Sequence, residues 1–226
     1  MIEKNYSLLN LNFLDKIIVK KRTEMYRLLQ KNIDKSKINS ILDIGTTEED
    51  SLESSNFFIK KFKNIKIKKT ISNQIIKNKS FKKKINKSIT SYFSKNMIKN
   101  YKSDLVISSA TIEHVGNYKK QIKMIKNVIL LTNKFFFITT PNRFYPIDFH
   151  TKIPLLHLFP KKIHRFFLNI LSLKEYAKEE NLNLISKYEI VNFLDKINTK
   201  EFNIKIFNIK LFGLTSNLII FGKKIK

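Results

Sequence analysis

The chain has 226 residues, a formal net charge of +26 and no cysteine. This length is sufficient for one well-buried α/β domain and too short for two ordinary domains. The lack of cysteine excludes disulfides, thiolate metal sites, iron–sulfur clusters and a cysteine nucleophile, and it fits a reducing compartment.

The positive charge has two explanations that the sequence leaves open. Of the 44 basic residues only four are arginine, and lysine is accompanied by abundant isoleucine, asparagine and phenylalanine, whose codons are rich in A and T. A bias in base composition would enrich lysine on any solvated face, whereas a selected surface would bind polyanions and release their counterions. Arginine is the better bidentate phosphate ligand. Its scarcity favours the compositional explanation, so nucleic acid is a partner that we do not favour.

The sequence shows no pattern typical of membrane insertion or secretion. No run approaches the roughly 18 to 20 apolar residues that a membrane span needs. The N-terminal stretch MIEKNYSLLNLNF lacks the basic start, apolar centre and small-residue cleavage site of a secretory signal. We therefore expect a cytoplasmic protein.

The first elements are predicted to be a helix, a strand and a second helix. In residues 13–30, apolar side chains recur on one side at helical spacing, namely Leu14, Ile18, Met25 and Leu29. This helix would belong to an N-terminal helical extension, residues 1–37. A buried strand at 40–45 ends in a turn at Gly45, where the missing Cβ allows backbone angles that other residues avoid. A helix at 52–62 would follow.

The middle of the chain alternates strands with helices. Lysine-rich strands are predicted at 64–71 and 82–90, a short buried strand at 103–109, and a central strand of aromatic and β-branched residues at 134–140. Between the last two strands, one helical face carries Tyr118, Ile122, Ile125 and Ile129. This alternation indicates a mostly parallel sheet.

Residues 141–180 depart from this pattern within what we predict to be a single domain, residues 1–226. They hold all four prolines of the chain, and proline-rich segments cannot join a central sheet. We therefore predict a lid or substrate insert, with a helix at about 161–170. Ser186 and Glu189 form a capping box ahead of one more helix. The C-terminal stretch is predicted to form two strands joined by Gly-Leu-Thr-Ser, a hairpin that would end the sheet antiparallel.

Three motifs follow one another at the ends of predicted strands: ILDIG (41–45), DLVISSATIEHVGN (104–117) and FFFITTPNR (135–143). They resemble the first motif, the fourth strand with its turn, and the fifth strand with its loop in class I S-adenosylmethionine-dependent methyltransferases. The segment SSATIEHVGN is similar to one found in the type 11 small-molecule enzymes, and the whole resemblance covers residues 38–225. It implies an α/β, Rossmann-like doubly wound fold, with a mostly parallel seven-stranded sheet and a C-terminal antiparallel β-hairpin. It also implies methyltransferase activity with S-adenosyl-L-methionine as cofactor.

The resemblance assigns cofactor-binding positions at the ends of the first and fourth strands. They are Asp43, Gly45, Thr46, Thr47, Ser108, Ser109 and Ala110. Gly45 would let the backbone approach the amino-acid moiety of the cofactor, although the family usually has two further glycines in this turn. The crevice at the carboxyl ends of strands is where open α/β sheets bind ligands. Other roles stay open, because Asp43 could accept hydrogen bonds from nearby backbone and the two serines could cap strand ends.

The stretch between Ser54 and Ser103 contains no aspartate or glutamate. The family places acids after its second and third strands, near the ribose and the adenine, and Ser72 and Thr90 fall in the corresponding regions of this chain. Hydroxyl groups can accept the same hydrogen bonds, but charge-assisted bonds are roughly twice as strong. Three outcomes follow: the cofactor binds weakly, an acid among residues 48–50 replaces the missing one, or activity has been lost.

Two histidines are the candidate bases for removing a proton from the acceptor. His114 follows Glu113 just past the fourth strand and could equally be a structural residue at a helix start. His150, beside Asp148, lies in the insert, whereas His157 is expected to be packed or at an apolar surface. The pattern predicts no metal site.

Absent motifs restrict the acceptor. The Asn/Asp-Pro-Pro-aromatic turn of the family's exocyclic-amine methylases is replaced here by Ser-Ser-Ala-Thr, and the thiol that pyrimidine C5 chemistry needs is missing. We therefore expect an oxygen or carbon acceptor on a small molecule, a glycan precursor or a lipid-linked substrate.

The apolar series in residues 144–159 fits a lid core, an apolar acceptor pocket or peripheral membrane contact. The alternative function is a non-catalytic methyltransferase-like module that binds RNA or an anionic membrane through residues 60–102. The sequence does not indicate an oligomeric state.

Overall fold

The computed structural model describes residues 11–225, and it describes side chains from residue 14 onward. The seven strands are β1 (Ser40–Ile44), β2 (Ile67–Ser72), β3 (Lys83–Asn86), β4 (Ser103–Ser109), β5 (Thr132–Pro141), β6 (Phe202–Leu211) and β7 (Leu214–Lys224). The α-helices are α1 (Leu11–Asn32), α2 (Phe57–Lys61), α3 (Lys95–Tyr101), α4 (Tyr118–Leu130), α5 (Lys161–Ile170), α6 (Lys174–Ala177) and α7 (Lys187–Asp195).

The strands form one sheet in the order β3-β2-β1-β4-β5-β7-β6. The strands β1 to β5 pair in parallel, and β7 runs antiparallel to both β5 and β6. The mostly parallel sheet and its antiparallel C-terminal hairpin confirm the predicted fold class. The chain order reverses between β1 and β4, which is the position where open α/β sheets bind ligands.

The sheet separates two apolar cores. In β4, Val106 faces a core that includes side chains of α3, α4 and α7, whereas Leu105 and Ile107 face a core that includes side chains of α1 and α2. Both faces of this strand are therefore covered, which explains its continuous apolar run. Each such side chain contributes on the order of 1.5–3 kcal/mol when fully buried. The two cores hold the strand ends of the site in place.

Part of the lysine excess lies on the edges of the sheet. Lys83 and Lys84 are exposed on the edge strand β3, and Lys205 and Lys210 are exposed on the opposite edge strand β6. Charged side chains on edge strands discourage pairing with another chain. These lysines thus have a structural reason that requires no polyanion.

Three predicted elements differ in the structure. The strand predicted at 82–90 spans only Lys83–Asn86. The helix predicted at 52–62 is wrong in extent, because only Phe57–Lys61 is helical and Asn56 before it has a left-handed backbone with φ of 50°. The hairpin connection was predicted at Gly-Leu-Thr-Ser, but the turn consists of Phe212 and Gly213, with φ of 50° and 81°. Positive φ at both central residues is what a two-residue type I′ hairpin requires. The short helix α3 was not predicted.

The chain leaves the sheet after β5 and returns to it at β6. Isolated bridges join Asn142 to Ile185 and Ile147 to Pro154. The helices α5 and α6 lie in the part of the chain between Pro154 and Ile185. The predicted capping box at Ser186 is present at the start of α7. A lid function for residues 141–180 stays a prediction, and residues 1–10 of the predicted N-terminal extension lie outside the described residues. Within residues 11–225, no helix combines the length and the apolar character that a membrane crossing needs.

Candidate functional site

Two turns with unusual backbone angles lie side by side at the carboxyl ends of β1 and β4. Gly45 has φ of +88°, and its N–H donates to the Ile71 carbonyl at 2.9 Å. Ala110 has φ of +51°, and its N–H donates to the Thr139 carbonyl at 2.9 Å. A left-handed backbone at a residue other than glycine costs of order 1–3 kcal/mol and is often found at functional sites. Three cavities open around these turns, and Ala110 lines all of them.

The first cavity, called the Arg22 cavity here, has a volume of about 190 Å³. Its wall includes Arg22 from α1, Asp43 and Gly45 from the end of β1, and residues 54–58. The Arg22 guanidinium donates to the Ser54 carbonyl, which ties α1 to the loop before α2. Burial lowers the pKa of Arg22, and the nearby charges of Glu113, Asp15 and Asp43 act in the opposite direction. The guanidinium nevertheless remains charged.

Asp43 is a buried carboxylate with few donors. Only 6 % of the residue is exposed, and its Oδ2 accepts a hydrogen bond of 2.5 Å from the Thr46 hydroxyl. Burial raises the pKa of Asp43 to about 6, although the Thr46 hydrogen bond and the charge of Arg22 both lower it. A ligand that brings a cation or an N–H donor into this cavity would stabilise the ionised form.

The second cavity, called the Ser72 cavity, has a volume of about 350 Å³. It lies on the other side of the β1 turn, between the ends of β2 and β3, and its lining contains no carboxylate. The Ser72 hydroxyl donates to the Thr46 carbonyl at 2.7 Å, and the Gln74 side-chain oxygen accepts the Glu48 N–H at 2.9 Å. The Glu48 carboxylate accepts the Lys77 N–H at 2.9 Å. This acid from the first turn therefore reaches the loop after β2 without lining the cavity.

The third cavity, called the His150 cavity, has a volume of about 220 Å³ and is lined mainly by apolar side chains. They come from α1, from the insert and from the hairpin: Ile17, Ile18, Met25, Phe149 and Leu211. Polar groups at its wall include Thr140, His150 and Asn217. An apolar cavity with a few convergent polar groups is the usual form of a small-molecule site.

The two candidate histidines lie against each other between the Ser72 and His150 cavities. The Nε2 atoms of His114 and His150 are 3.1 Å apart, and the Nδ1 of His150 lies 3.0 Å from Oδ1 of Asp148. Burial lowers the pKa of His150, but the Asp148 hydrogen bond and the charge of Glu113 outweigh it, so its net pKa is raised. Burial raises the pKa of Asp148, but the His150 hydrogen bond and charge bring it well below its usual range.

Most of the predicted site residues line at least one cavity. They are Asp43, Gly45, Thr46, Thr47, Ser72, Ser109, Ala110, His114 and His150. Ser108 and Thr90 line none of the three. The Ser108 hydroxyl donates to the Ile44 carbonyl at 3.3 Å, and the hydroxyls of Thr90 and Ser88 bond each other at 2.8 Å. Ser88 and Ile89 face the Ser72 cavity instead.

The structure also adds site residues that were not predicted. A Cβ on Gly45 would meet the Thr111 side chain, so glycine is needed there for close packing as well as for its backbone angle. Glu113 lies in the motif beside His114, and its significance becomes visible only once His150 is placed. A signal did exist for Arg22, because it occupies the predicted apolar stripe of the first helix between Ile18 and Met25. A cation on such a stripe points to a buried partner or ligand.

Comparison with known proteins adds information on the fold. No family model matches the chain, and no curated protein sequence gives a significant match. A putative S-adenosylmethionine-dependent methyltransferase structure from Listeria monocytogenes is similar at a TM-score of 0.55 and 13 % identity, over 92 % of this chain and 99 % of that one. The magnesium protoporphyrin IX methyltransferase of Synechocystis PCC 6803 with bound S-adenosylmethionine gives 0.51 and 9 %, over 96 % and 85 %.

A third similar structure is that of the small RNA methyltransferase HEN1, with a TM-score of 0.56 and 11 % identity, over 91 % of this chain and 25 % of that longer chain. The chain has the class I methyltransferase fold. At these identities the likeness establishes the fold, and the chemistry has to be argued from this chain's own residues.

Proposed function

We propose that the protein is an S-adenosylmethionine-dependent methyltransferase that acts at oxygen or carbon of a small-molecule, glycan-precursor or lipid-linked acceptor. The observation that carries this proposal is the meeting of three cavities at Ala110. Two of them flank the Gly45 turn and would together take an elongated ligand. The third would bring an acceptor to the same point, which is the arrangement that a transfer reaction between two bound molecules needs.

The residues of the Arg22 cavity fit the amino-acid end of the cofactor. Arg22 offers a guanidinium for a carboxylate, and Asp43 offers a buried carboxylate, short of donors, for an ammonium group. The Ser72 cavity would take the nucleoside, which would be held by hydroxyl, amide and backbone groups since no acid lines this cavity. The bound cofactor would supply an electrophilic methyl group. Ala110, which has the smallest chiral side chain, would leave room where the two ligands meet.

His150 is proposed to act on the acceptor. It lines the apolar cavity, Asp148 holds its Nδ1, and its Nε2 lies 3.1 Å from Nε2 of His114. Asp148 also accepts the backbone N–H of His150 at 3.0 Å and the Thr151 hydroxyl at 2.8 Å. These bonds fix the ring orientation, and Asp148 is therefore a positioning residue. His114, which contacts His150, would complete the polar wall.

An exposed apolar face on α5 supports a lipid-linked acceptor. Its four side chains follow the i, i+3, i+4, i+7 spacing of one helix face and are between 41 % and 61 % exposed: Ile163, Phe166, Phe167 and Ile170. The neighbouring Lys162 and Lys174 are exposed and form no ion pair within residues 11–225. A helix with an apolar face and basic flanks suits an anionic lipid surface. We therefore propose that α5 docks on such a surface while the His150 cavity receives the acceptor.

Calorimetry with S-adenosylmethionine and its demethylated product tests the proposed function. We expect both to bind the wild-type protein, and we expect Arg22→Met to lose most of the affinity because a charge-assisted contact to the ligand carboxylate is removed. Arg27→Met is the matched control, since Arg27 is exposed on the same helix, and it should bind like the wild type. No binding of either ligand at millimolar concentration would reject the proposal.

Vesicle sedimentation tests the lipid surface. The wild-type protein should sediment with vesicles that contain phosphatidylglycerol and less with purely zwitterionic ones. Phe166→Ser combined with Phe167→Ser should abolish this, whereas Tyr92→Ser, which changes an aromatic residue that is 76 % exposed in another loop, should not. Equal sedimentation of all three proteins would contradict the docking of α5.

The second candidate function is a non-catalytic module that binds RNA through the lysine-rich face. The exposed lysines of β3 and the similarity to the small RNA methyltransferase HEN1 favour it. It predicts RNA affinity that falls linearly with salt on a double-logarithmic plot. It also predicts a marked loss of that affinity when Lys82, Lys83 and Lys84 are replaced by glutamate. Cofactor binding without RNA retention would leave the methyltransferase as the function.

A further inference from the structure

Three potential metal ligands converge beside the His150 cavity. Glu113 and His114 come from the turn after β4, and His150 comes from the segment between β5 and β6. One ligand atom from each side chain lies within 4.8 Å of the other two. Residues that are far apart in the chain therefore meet at one point.

The hydrogen bonds of the two imidazoles fix where their protons are. The Nδ1 of His114 lies 2.5 Å from the backbone carbonyl of Asn181, and a carbonyl only accepts, so this nitrogen carries the proton. The Nδ1 of His150 donates to the Asp148 carboxylate in the same way. Both neutral rings then present an unprotonated Nε2, and these two atoms are 3.1 Å apart. Metal-binding histidines are typically held in this manner, with the other ring nitrogen donating to a carboxylate or a backbone carbonyl.

The third group is a buried carboxylate oxygen without a donor. Glu113 is completely buried, and its Oε2 accepts the Thr140 hydroxyl at 3.0 Å. Among the side chains of residues 14–225 its Oε1 finds no hydrogen-bond partner, and it lies 3.8 Å from Nε2 of His150. An uncompensated buried carboxylate oxygen is costly. A single shared proton would pair the two ring nitrogens but would leave this oxygen unpartnered, whereas one cation satisfies all three atoms.

We propose that Glu113, His114 and His150 bind a divalent first-row transition-metal ion such as Zn²⁺, Mn²⁺ or Fe²⁺. Two imidazoles and one carboxylate suit these ions better than Mg²⁺ or Ca²⁺, which prefer oxygen ligands. With metal–ligand bonds of about 2.1 Å, the nitrogen–nitrogen separation of 3.1 Å corresponds to an angle at the metal of about 95°. The 3.8 Å separation between Glu113 and His150 corresponds to about 130°. Two ligands bonded at about 2.1 Å are at most about 4.2 Å apart, so Glu113 and His114, whose ligand atoms lie within 4.8 Å of each other, must lie within that smaller distance when the ion binds.

The site would have open coordination positions toward the acceptor. Because His150 lines the apolar cavity, an acceptor hydroxyl entering there could coordinate the ion, which would lower its pKa and fix its orientation. His150 would then act through the metal instead of accepting the proton itself. This catalytic use rests on the methyltransferase function proposed above, but the metal site stands on the three side chains alone.

Titration of untagged, chelator-treated protein with Co²⁺, followed by its visible absorption, and with Zn²⁺ by calorimetry tests the site. We expect one ion per chain. Asp148→Asn should weaken binding by about 10- to 100-fold, the loss typical for a hydrogen-bond partner of a metal ligand, and Glu113→Gln and His150→Gln should each weaken it further because they remove a ligand. His164→Gln is the control, because His164 lies outside the cluster and its variant should bind the ion like the wild type.

Three results would overturn the metal site: no stoichiometric binding by the wild type, unchanged affinity in Glu113→Gln, or an equal loss in His164→Gln. Circular dichroism excludes unfolding as the cause of a loss, and Asp148→Asn gives a second variant with all three ligands intact. S-adenosylmethionine binding is measured separately on the same samples. Metal binding without cofactor binding would support the site and reject the proposed function, and cofactor binding without metal binding would do the reverse.

Discussion

Replacing Asp43 with asparagine should make the protein more stable at neutral pH while it weakens cofactor binding. Burial raises the pKa of this carboxyl from 3.8 to about 6, so the folded chain binds the proton more tightly than the unfolded chain does. The ionised carboxylate therefore destabilises the fold. This penalty is absent below about pH 4, grows between about pH 4 and pH 6, and is complete above about pH 6.

The magnitude follows from the size of the pKa shift. Each unit corresponds to about 1.4 kcal/mol, so the penalty is about 3 kcal/mol at pH 7.5 and about 1 kcal/mol at pH 4.5. Asparagine does not ionise, and its side-chain oxygen can still accept from the Thr46 hydroxyl. The gain reaches these values when the new amide N–H groups find acceptors or solvent in the Arg22 cavity, and an unsatisfied amide would reduce it by about 1–3 kcal/mol.

Urea unfolding at the two pH values, followed by circular dichroism, measures this difference. Asp195→Asn, which changes an exposed carboxylate at the end of α7, is the control and should leave stability nearly unchanged at both. S-adenosylmethionine should raise the unfolding midpoint of the wild type and of the control more than that of Asp43→Asn, because the stabilisation by a ligand decreases as its affinity decreases. A gain for Asp43→Asn that is equal at both pH values would refute the reasoning, since it could not come from ionisation.

Three glycine substitutions separate packing from backbone strain in the same urea assay. Gly222→Ala should be the most harmful in the sheet, because the new Cβ would meet the buried ring of Phe136 and overpacking costs about 1–3 kcal/mol or more. Gly213→Ala keeps a φ of +81° with nothing within 4 Å, so it should cost only the roughly 1–2 kcal/mol of a left-handed backbone. Gly45→Ala combines a φ of +88° with contact to Thr111 and should exceed Gly213→Ala. A larger loss for Gly213→Ala than for either of the others would contradict this order.

The sequence predicted the layers of the fold because its periodic patterns are strong. The apolar run of β4 and the aromatic run of β5 are buried on both faces of the sheet. Strands buried in this way have near-continuous apolar sequences, and such a sequence stands out even in a chain as rich in lysine as this one. The hairpin turn was misplaced because its left-handed positions are Phe212 and Gly213, and phenylalanine carries no turn signal. The helix before β2 was overextended because Asn56 interrupts it with a left-handed backbone that the apolar spacing does not reveal.

The site could be predicted only where its residues follow a strand. Asp43, Gly45 and Ala110 have fixed positions relative to β1 and β4, so a motif finds them. The contact between His114 and His150 depends on how residues 142–186 fold back over the sheet, and no local pattern contains that information. Thr90 was assigned to cofactor binding from its place after β3 in the family resemblance, and the loop there has no periodicity that shows which side chain faces the Ser72 cavity.

The buried acids show how charge is distributed across the candidate site. Among the described residues, the buried carboxylates are Asp43, Asp104, Glu113 and Asp148. Asp104 accepts the N–H groups of Asn39 and Ser40 and pairs with Lys134, so its burial is compensated within the fold. The other three lie at the Arg22 cavity or at the histidine cluster, where Asp43 has a raised pKa and Glu113 has an oxygen without a donor.

This uneven distribution predicts where the cofactor gains its affinity. Charge-assisted hydrogen bonds are roughly twice as strong as neutral ones. The Arg22 cavity holds a guanidinium and a carboxylate, whereas the Ser72 cavity offers hydroxyl and amide groups and one cation, Lys87, but no carboxylate. Removing the Ser72 hydroxyl should therefore weaken S-adenosylmethionine binding by about 1 kcal/mol, a factor of about 5. Loss of the Asp43 charge should weaken it by about 1.5–3 kcal/mol, a factor of about 10 to 150. Calorimetry on Ser72→Ala and Asp43→Asn compares the two directly. A larger loss in Ser72→Ala would mean that the nucleoside end dominates binding and that the buried carboxylate of Asp43 serves another purpose.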